Sequence, residues 1–198
     1  MAYLPGRRAG GKLIAMTDGG LNHGHEDHVH DASCAVAHGT ARGPGEDKVL
    51  AAVFASPVAS YLLRYGADAG YRAVLVEPDP ERSKSLAADG FELAESLDGV
   101  DPDSADVVVT DHHRPELGIL LRDALAAHVR WVGIMGNPRH EGPHVAALTE
   151  LGVPASEITK VHRPIGVNIG SRTPAEIAIA TMAGLIADRN GKPGGFTF

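Results

Sequence analysis

The chain has 198 residues and a formal net charge of −7, from 18 basic and 25 acidic residues. This acidic balance argues against nucleic acid, or an anionic membrane surface, as the main partner. With Cys34 as its single cysteine, the chain forms no intramolecular disulfide. We expect no apolar leader and no membrane-spanning run, so the predicted location is the cytoplasm.

Residues 1–46 are predicted to form a short N-terminal extension, partly disordered and rich in histidine. Its candidate metal ligands are His23, His25, His28 and His30, with Cys34 and His38 nearby. Such a composition favours metal binding, but the spacings lack the two separated ligand pairs of a closed zinc site. We expect a polar loop that captures divalent metal adventitiously, followed by a Gly- and Pro-rich linker at 42–46.

From residue 47 onward, short β-branched runs alternate with helix-length segments. The runs predict strands at 49–54, 72–77, 106–110 and 129–134. This alternation is typical of an α/β fold with a Rossmann-like open, mainly parallel sheet and helices on both faces. Residues 47–198 are therefore the predicted Rossmann-like domain.

Four predicted helix starts place a capping side chain before a proline at the first helical position. The pairs are Ser56-Pro57, Asp79-Pro80, Asn137-Pro138 and Thr173-Pro174. At the last start Glu176 completes a capping box, and the helix is predicted to run to Arg189. The side chains predicted to pack on the sheet from this helix are Ile177, Thr181, Met182, Leu185 and Ile186.

The turn after the first strand lacks the glycines of a dinucleotide-binding turn. It carries Ala55, Ser56 and Pro57. The methyl group of Ala55 and the ring of Pro57 hinder the approach of a pyrophosphate, so we expect NAD and NADP to bind poorly or not at all. Glu77 stands at the spacing of a ribose ligand, with a solvated strand-end acid as the alternative. Ser56 is a plain N-cap or a ligand contact.

Three titratable side chains, Asp111, His112 and His113, directly follow the third predicted strand. Ligands bind outside the carboxyl ends of such strands, so these side chains are candidates for the site. A histidine with a pKa near 6.5 can be a metal ligand, a proton carrier or a donor to a pterin or phosphate. The alternative is an exposed polar turn before Arg114.

Two loops complete the predicted site. After the fourth strand, Gly133 and Gly136 are expected to let the backbone approach a ligand. In the same turn Asn137 is expected to cap a helix and Arg139 to bind a phosphate. The second loop precedes the positive end of the last helix, where a phosphate or carboxylate is stabilised, and Arg172 offers a bidentate fork.

The segment from Pro164 to Ile177, Pro-Ile-Gly-x-x-Ile-Gly-x-Arg-Thr-Pro-x-Glu-Ile, closely resembles the C-terminal signature of the XdhC/CoxI family. The segments 107–113 and 131–136 resemble two strand-and-turn segments of that family in the same order. Members are maturation factors for molybdenum hydroxylases. The resemblance covers about residues 48–190 and implies a Rossmann-like domain that handles molybdopterin, without implying catalysis.

The resemblance implies a cytoplasmic chaperone or carrier that binds a molybdopterin-type molybdenum cofactor, with a dinucleotide form as an alternative. The client would be a xanthine, aldehyde or CO dehydrogenase, with a cysteine desulfurase as a further partner and a homodimer as the expected state. No catalytic residue is predicted. The predicted cofactor-binding residues are Ser56, Asp111, His112, His113, Gly133, Gly136, Asn137, Arg139, Gly166, Asn168, Gly170, Ser171, Arg172 and Thr173. Two alternatives stay open: an NAD(P)-dependent oxidoreductase, and a metal-binding regulatory or interaction module.

Overall fold

A computed structural model describes residues 48–87, 90–137, 139–140 and 142–195 of the chain. The predicted extension at 1–46 lies outside the described residues, as do its candidate metal ligands His23, His25, His28 and His30. The domain boundary and the metal-binding segment therefore stay predictions.

The strands form one open sheet in the order β3-β2-β1-β4-β5, and every neighbouring pair is parallel. They span Val49–Val53 (β1), Arg72–Val76 (β2), Glu92–Ala94 (β3), Ala105–Val109 (β4) and Trp131–Ile134 (β5). This topology confirms the predicted Rossmann-like fold. It also places the reversal of strand order between β1 and β4, and open α/β sheets bind their ligands beyond the carboxyl ends of the strands at that point.

The helices span Pro57–Asp68 (α1), Pro80–Ala87 (α2), Leu117–Ala126 (α3), Pro143–Glu150 (α4), Ala155–Ile158 (α5) and Pro174–Arg189 (α6), with a 3-10 turn at Pro102–Ser104. The predicted starts at Pro57, Pro80 and Pro174 are confirmed. None of these helices within the described residues is long and apolar enough to cross a membrane.

The helix start predicted at Asn137 is wrong, because the helix begins at Pro143 with Gly142 as its N-cap. The Asn137 side chain accepts a hydrogen bond from the backbone N–H of Arg139 at 3.0 Å. A side-chain bond two residues along the chain stabilises a turn as readily as a helix start. The residues after β5 therefore form a loop before α4 begins.

Helices cover both faces of the sheet, as predicted. Helices α1 and α6 supply Leu62, Leu63, Met182 and Leu185 to the core on one face. On the other face, α3, α4 and α5 supply residues such as Leu121, Leu148 and Ile158. The central strands β1 and β4 are consequently buried at every residue, which is the pattern of a sheet shielded on both sides.

Along α6, the predicted buried stripe is correct at Thr181, Met182 and Leu185 but wrong at Ile186. The Ile186 side chain is 40 % exposed, whereas Ala178 is buried. At about 100° per residue, position 186 lies about 90° from the middle of the stripe formed by 178, 181, 182 and 185, so its side chain is at the edge of the buried face.

The direction of α6 places its first residue at the ligand-binding edge. Near the end of the helix, Arg189 Nε donates to Asp106 Oδ2 at 2.7 Å and Arg189 Nη2 donates to the Ser104 carbonyl at 2.6 Å. Both acceptors lie where β4 begins, which we call the amino edge of the sheet. Helix α6 therefore runs opposite to the strands, and Thr173 lies toward the carboxyl edge, where the strands end.

Candidate functional site

The turn after β1 uses its polar groups internally. Phe54 has a φ of 75°, a left-handed conformation that bulky residues rarely adopt, and its N–H donates to the Val76 carbonyl at 2.9 Å. The Thr110 hydroxyl lies 2.8 Å from the Phe54 carbonyl and 2.9 Å from Ser56 Oγ. Ser56 Oγ also accepts the Ala59 N–H at 3.0 Å, so Ser56 is the N-cap of α1.

Glu77, directly after β2, is buried, so its interpretation as a solvated strand-end acid is wrong. Its carboxylate accepts N–H groups of Ala55 at 2.8 Å and Asp79 at 3.0 Å, and both terminal nitrogens of Arg114 at 3.0 and 2.9 Å. These four bonds use the acceptor positions of a carboxylate, which leaves none for a ribose. Burial alone would raise the pKa of Glu77, but the bonds from Arg114 and the two backbone groups lower it.

Arg114 is a key residue that sequence analysis treated only as part of a turn. Its side chain is 6 % exposed, and its guanidinium carbon lies 4.6 Å from the centroid of the Phe54 ring. The Glu77 carboxylate beside it raises its pKa. Arg114 thereby connects the turns after β1, β2 and β4.

The turn after β4 presents the predicted histidines. Asp111 Oδ1 accepts the His113 N–H at 3.0 Å, which closes the turn, and the centroids of the His112 and His113 rings lie 4.1 Å apart. His112 is half-buried and His113 is exposed. Burial and the neighbouring His113 lower the pKa of His112, which favours its neutral form.

The glycines of β5 and its following loop make room for the protein's own side chains. A Cβ on Gly133, which lies within the buried strand, would stand 2.7 Å from Ile165 Cγ2. A Cβ on Gly136 would stand 2.9 Å from Arg163 Nε. These contacts give both glycines a packing role, and their approach to a ligand stays a prediction.

Arg163 organises the loop after β5, and sequence analysis missed it. Its terminal nitrogens donate to the carbonyls of His140 at 2.9 Å and Asn137 at 2.8 Å. Burial is the main cause of the lowered pKa values of His112 and His144, and the positive charge of Arg163 lowers both further. The two hydrogen bonds join the start of the 162–173 segment to the loop after β5.

The segment before α6 packs closely on that helix. The Val167 N–H donates to the Ala180 carbonyl at 2.9 Å. Gly166 has a φ of 82°, and a Cβ there would stand 2.9 Å from the backbone of Ala180. This position accepts glycine because both its conformation and the available space exclude a side chain.

The predicted capping box at Thr173 is confirmed, but it also occupies the predicted anion site. Glu176 Oε2 accepts the N–H groups of Arg172 at 2.6 Å and Thr173 at 3.1 Å, and Thr173 Oγ1 accepts the Glu176 N–H at 3.2 Å. The two backbone bonds lower the pKa of Glu176. Any anion binding at this loop therefore depends on the exposed Arg172 guanidinium, next to the open Gly170.

The part of the chain that the structure describes holds no group of three or more His, Cys, Asp or Glu residues arranged to bind a metal. A cavity of about 420 Å³ lies beside the start of β5, lined in part by Leu125, Arg130, Trp131, Lys160 and His162. The Trp131 and His162 rings stack there at 4.9 Å.

Comparison with known proteins adds a family, a relative and a fold. The family described as the XdhC Rossmann domain matches residues 50–185. The Escherichia coli K12 protein YqeB, described as uncharacterized, is 34 % identical over 118 residues, which cover 59 % of this chain and 21 % of that protein. This chain thus spans about a fifth of the length of that relative.

A crystal structure from Bacillus halodurans, described as a xanthine dehydrogenase, is similar with a TM-score of 0.60 and 22 % sequence identity. The similarity covers 73 % of this chain and 45 % of that chain. At this identity the likeness supports the fold alone.

Proposed function

Because this chain belongs to the XdhC Rossmann-domain family, we propose that it is an accessory protein of a molybdenum hydroxylase. In this proposal it binds a molybdopterin-type cofactor at the carboxyl edge and passes it to the client enzyme. A cytoplasmic location, a homodimer and a cysteine desulfurase partner are parts of the same proposal.

The observation that carries the proposal is the polar surface after β4 and β5. The half-buried His112 and the exposed His113 follow β4, at the point where the strand order reverses, and Arg163 binds the loop after β5 through the Asn137 carbonyl. A pterin ring offers both donors and acceptors along its edge, and a neutral imidazole pairs with either kind. The guanidinium of Arg172 suits a phosphate. The two histidines and Arg172 therefore fit a pterin that carries a phosphate.

The residues of this chain would bind and orient the cofactor. Asp111 fixes the turn that carries His113, and Arg163 fixes the loop on the other side through Asn137 and His140. His112 holds or releases a proton at a ring nitrogen near the ligand. When bound, the cofactor supplies the metal redox chemistry that the client enzyme uses, so the chain itself needs only to hold and release it.

A binding titration tests the proposal. The full chain is titrated anaerobically with molybdenum cofactor, and bound pterin is measured after oxidation to its fluorescent form. We expect saturable binding that the double variant His112→Ala/His113→Ala weakens at least about fivefold, because the hydrogen bonds of both rings are lost. The control is His128→Asn, which removes an exposed imidazole that precedes β5, at a φ of 55° that asparagine tolerates.

Two results of this titration would contradict the proposal. Absence of saturable pterin binding would remove the cofactor from the account. An equal loss of affinity in the His128 control would show that the effect is not specific to the carboxyl edge.

The oxidoreductase alternative has a weaker basis in the structure. A dinucleotide-binding turn presents free backbone N–H groups to a pyrophosphate, and an acidic residue after β2 binds the ribose. Here the Ala55 N–H and the Glu77 carboxylate bind each other. The same titration with NAD and NADP checks this alternative.

A further inference from the structure

The carboxyl edge of the sheet has two unequal halves. In folds of this topology a nucleoside diphosphate lies over the turn after β1, and its ribose contacts an acidic side chain after β2. In this chain those two places are the turn at Phe54 to Ser56 and the carboxylate of Glu77. We call this the β1–β2 half, and the turns after β4 and β5 the β4–β5 half.

The β1–β2 half already contains an anion of its own. The Glu77 carboxylate accepts the Ala55 N–H at 2.8 Å, a donor of the turn that would otherwise face a phosphate. Ser56 Oγ and Thr110 Oγ1 bind each other at 2.9 Å, so the hydroxyl groups beside this turn are also engaged. An incoming pyrophosphate finds its backbone donor taken by a carboxylate oxygen.

Arg114 holds this internal anion in place. Both of its terminal nitrogens bind the two Glu77 oxygens, and its guanidinium lies over the Phe54 ring. The exposed fractions of the two side chains are 6 % for Arg114 and 0 % for Glu77. To reach the Ala55 N–H, a ligand would have to displace a carboxylate that a buried ion pair holds in place, and disrupting such a pair is strongly unfavourable.

The β4–β5 half is more open. His113 is exposed and His112 is half-buried. The Asp111 carboxylate closes its own turn by accepting the His113 N–H, and the charges of both Asp111 and Arg163 act on the pKa of His112. A pterin with a single terminal phosphate needs this half alone, whereas the dinucleotide form also needs a place for a pyrophosphate and a nucleoside.

We infer that the Glu77–Arg114 pair is a specificity determinant that closes the β1–β2 half, so that the chain accepts the monophosphate form of molybdopterin and rejects its dinucleotide form. The inference rests on the proposed function, since it concerns which form of the cofactor the same edge accepts. In this inference Glu77 excludes a nucleotide instead of binding its ribose.

Three probes test this inference on the full chain. They are the cofactor in its monophosphate form, the same cofactor as its cytidine dinucleotide, and ADP-ribose as a nucleoside diphosphate without a pterin. We expect the dinucleotide to bind at least about tenfold more weakly than the monophosphate, which corresponds to about 1.4 kcal/mol. We expect ADP-ribose to show no saturation at about millimolar concentration, the weak end of specific affinities.

The variant Glu77→Asp tests the origin of the discrimination. It keeps the charge but shortens the side chain by one methylene, which draws the carboxylate away from the Ala55 N–H. We expect the discrimination between the two cofactor forms to fall by at least about threefold. The matched control is Glu92→Asp, the same change at a half-exposed carboxylate on β3, which should leave the discrimination unchanged.

The outcomes separate the inference from the proposed function. Equal affinity for the two cofactor forms, preference for the dinucleotide, or saturable ADP-ribose binding would overturn the inference and leave cofactor binding intact. Failure of both forms to bind would overturn the proposed function and the inference with it. If Glu77→Asp does not fold, the three probes on the unmodified chain still decide.

Discussion

Two buried carboxylates stand at opposite edges of the sheet, and each is paired with arginine. Asp106, at the amino edge, accepts Arg130 Nε at 2.6 Å and Arg189 Nε at 2.7 Å. Glu77, at the carboxyl edge, binds Arg114 and also two backbone N–H groups. Through Arg130 and Arg189, Asp106 connects β4 to the residue before β5 and to the end of α6. Glu77 in addition shapes the turn over which ligands of this fold lie.

The amino edge is built for cohesion. Arg130 bonds Asp188 of α6 at 2.7 Å as well as Asp106, and the Arg189 guanidinium lies 5.3 Å from the centroid of the Tyr71 ring. Burial raises the pKa of the Tyr71 hydroxyl. The comparison teaches that a buried ion pair serves stability alone at one edge, and both stability and ligand choice at the other.

The largest expected effect is at the amino edge. Asp106→Ala leaves two arginines without their shared anion, and we expect the free energy of unfolding to fall by about 3–5 kcal/mol. Urea denaturation of the full chain measures this loss. The control Asp188→Ala removes an acid that is 41 % exposed and should cost less than about 1 kcal/mol. Equal costs for the two variants would show that Asp106 is not the centre of the network.

The next effect is at Glu77. Glu77→Gln keeps the shape but removes the charge that Arg114 needs, so we expect a loss of about 2–4 kcal/mol at pH 7. The pKa of Glu77 is below its ordinary value of 4.5, so its contribution is present above that pH and is lost as the pH falls through the lowered pKa. As the pH falls below 4.5, the free energy of unfolding should therefore decrease less in the variant than in the original chain. Parallel acid-unfolding curves for the two chains would contradict this role.

A smaller effect concerns the two histidines and should appear in ligand affinity. The pKa of His112 is below its ordinary value of 6.5, so His112 gains its charge only as the pH falls below that value. Binding of an anionic pterin should then strengthen as the pH falls through that range. In His112→Ala/His113→Ala this dependence should flatten, while thermal stability changes little. A dependence that survives in the double variant would assign it to another group.

The smallest effect is expected at Arg172, because Glu176 already takes the backbone donors of that loop. Arg172→Ala should weaken binding of the pterin phosphate by about two- to tenfold without changing the fold. Calorimetric titration measures the difference. Its structural counterpart is Thr173→Ala, which breaks the capping box and should lower stability by about 1 kcal/mol. A loss of more than about a hundredfold at Arg172 would show that this loop, and not the β4–β5 half, dominates binding.

Local signals were enough to predict most of the fold. The β-branched runs gave β1, β2, β4 and β5, and three of four capping pairs marked true helix starts. Strand β3 was missed because Glu92, Leu93 and Ala94 form a short, partly exposed edge strand without a β-branched residue. The start of α4 was misplaced because an Asn-Pro pair has the same local bonding in a turn.

The candidate site was less predictable, because its key contacts join distant parts of the chain. Glu77 and Arg114 are 37 residues apart, and Arg163 and Asn137 are 26 apart. Nothing in the local sequence of Arg114 distinguishes a buried partner from a solvated turn residue. The predicted anion loop was recognisable as a helix start, but whether Glu176 or a ligand fills it depends on side-chain geometry.

The central claim is that this chain carries a pterin at the open half of its carboxyl edge. The most direct test purifies the full chain anaerobically from a molybdenum-using host and identifies released small molecules by mass spectrometry. The account predicts a molybdopterin derivative with a single phosphate, close to one per chain, and its loss in His112→Ala/His113→Ala. A chain that releases no pterin, or that releases a nicotinamide dinucleotide instead, would contradict it.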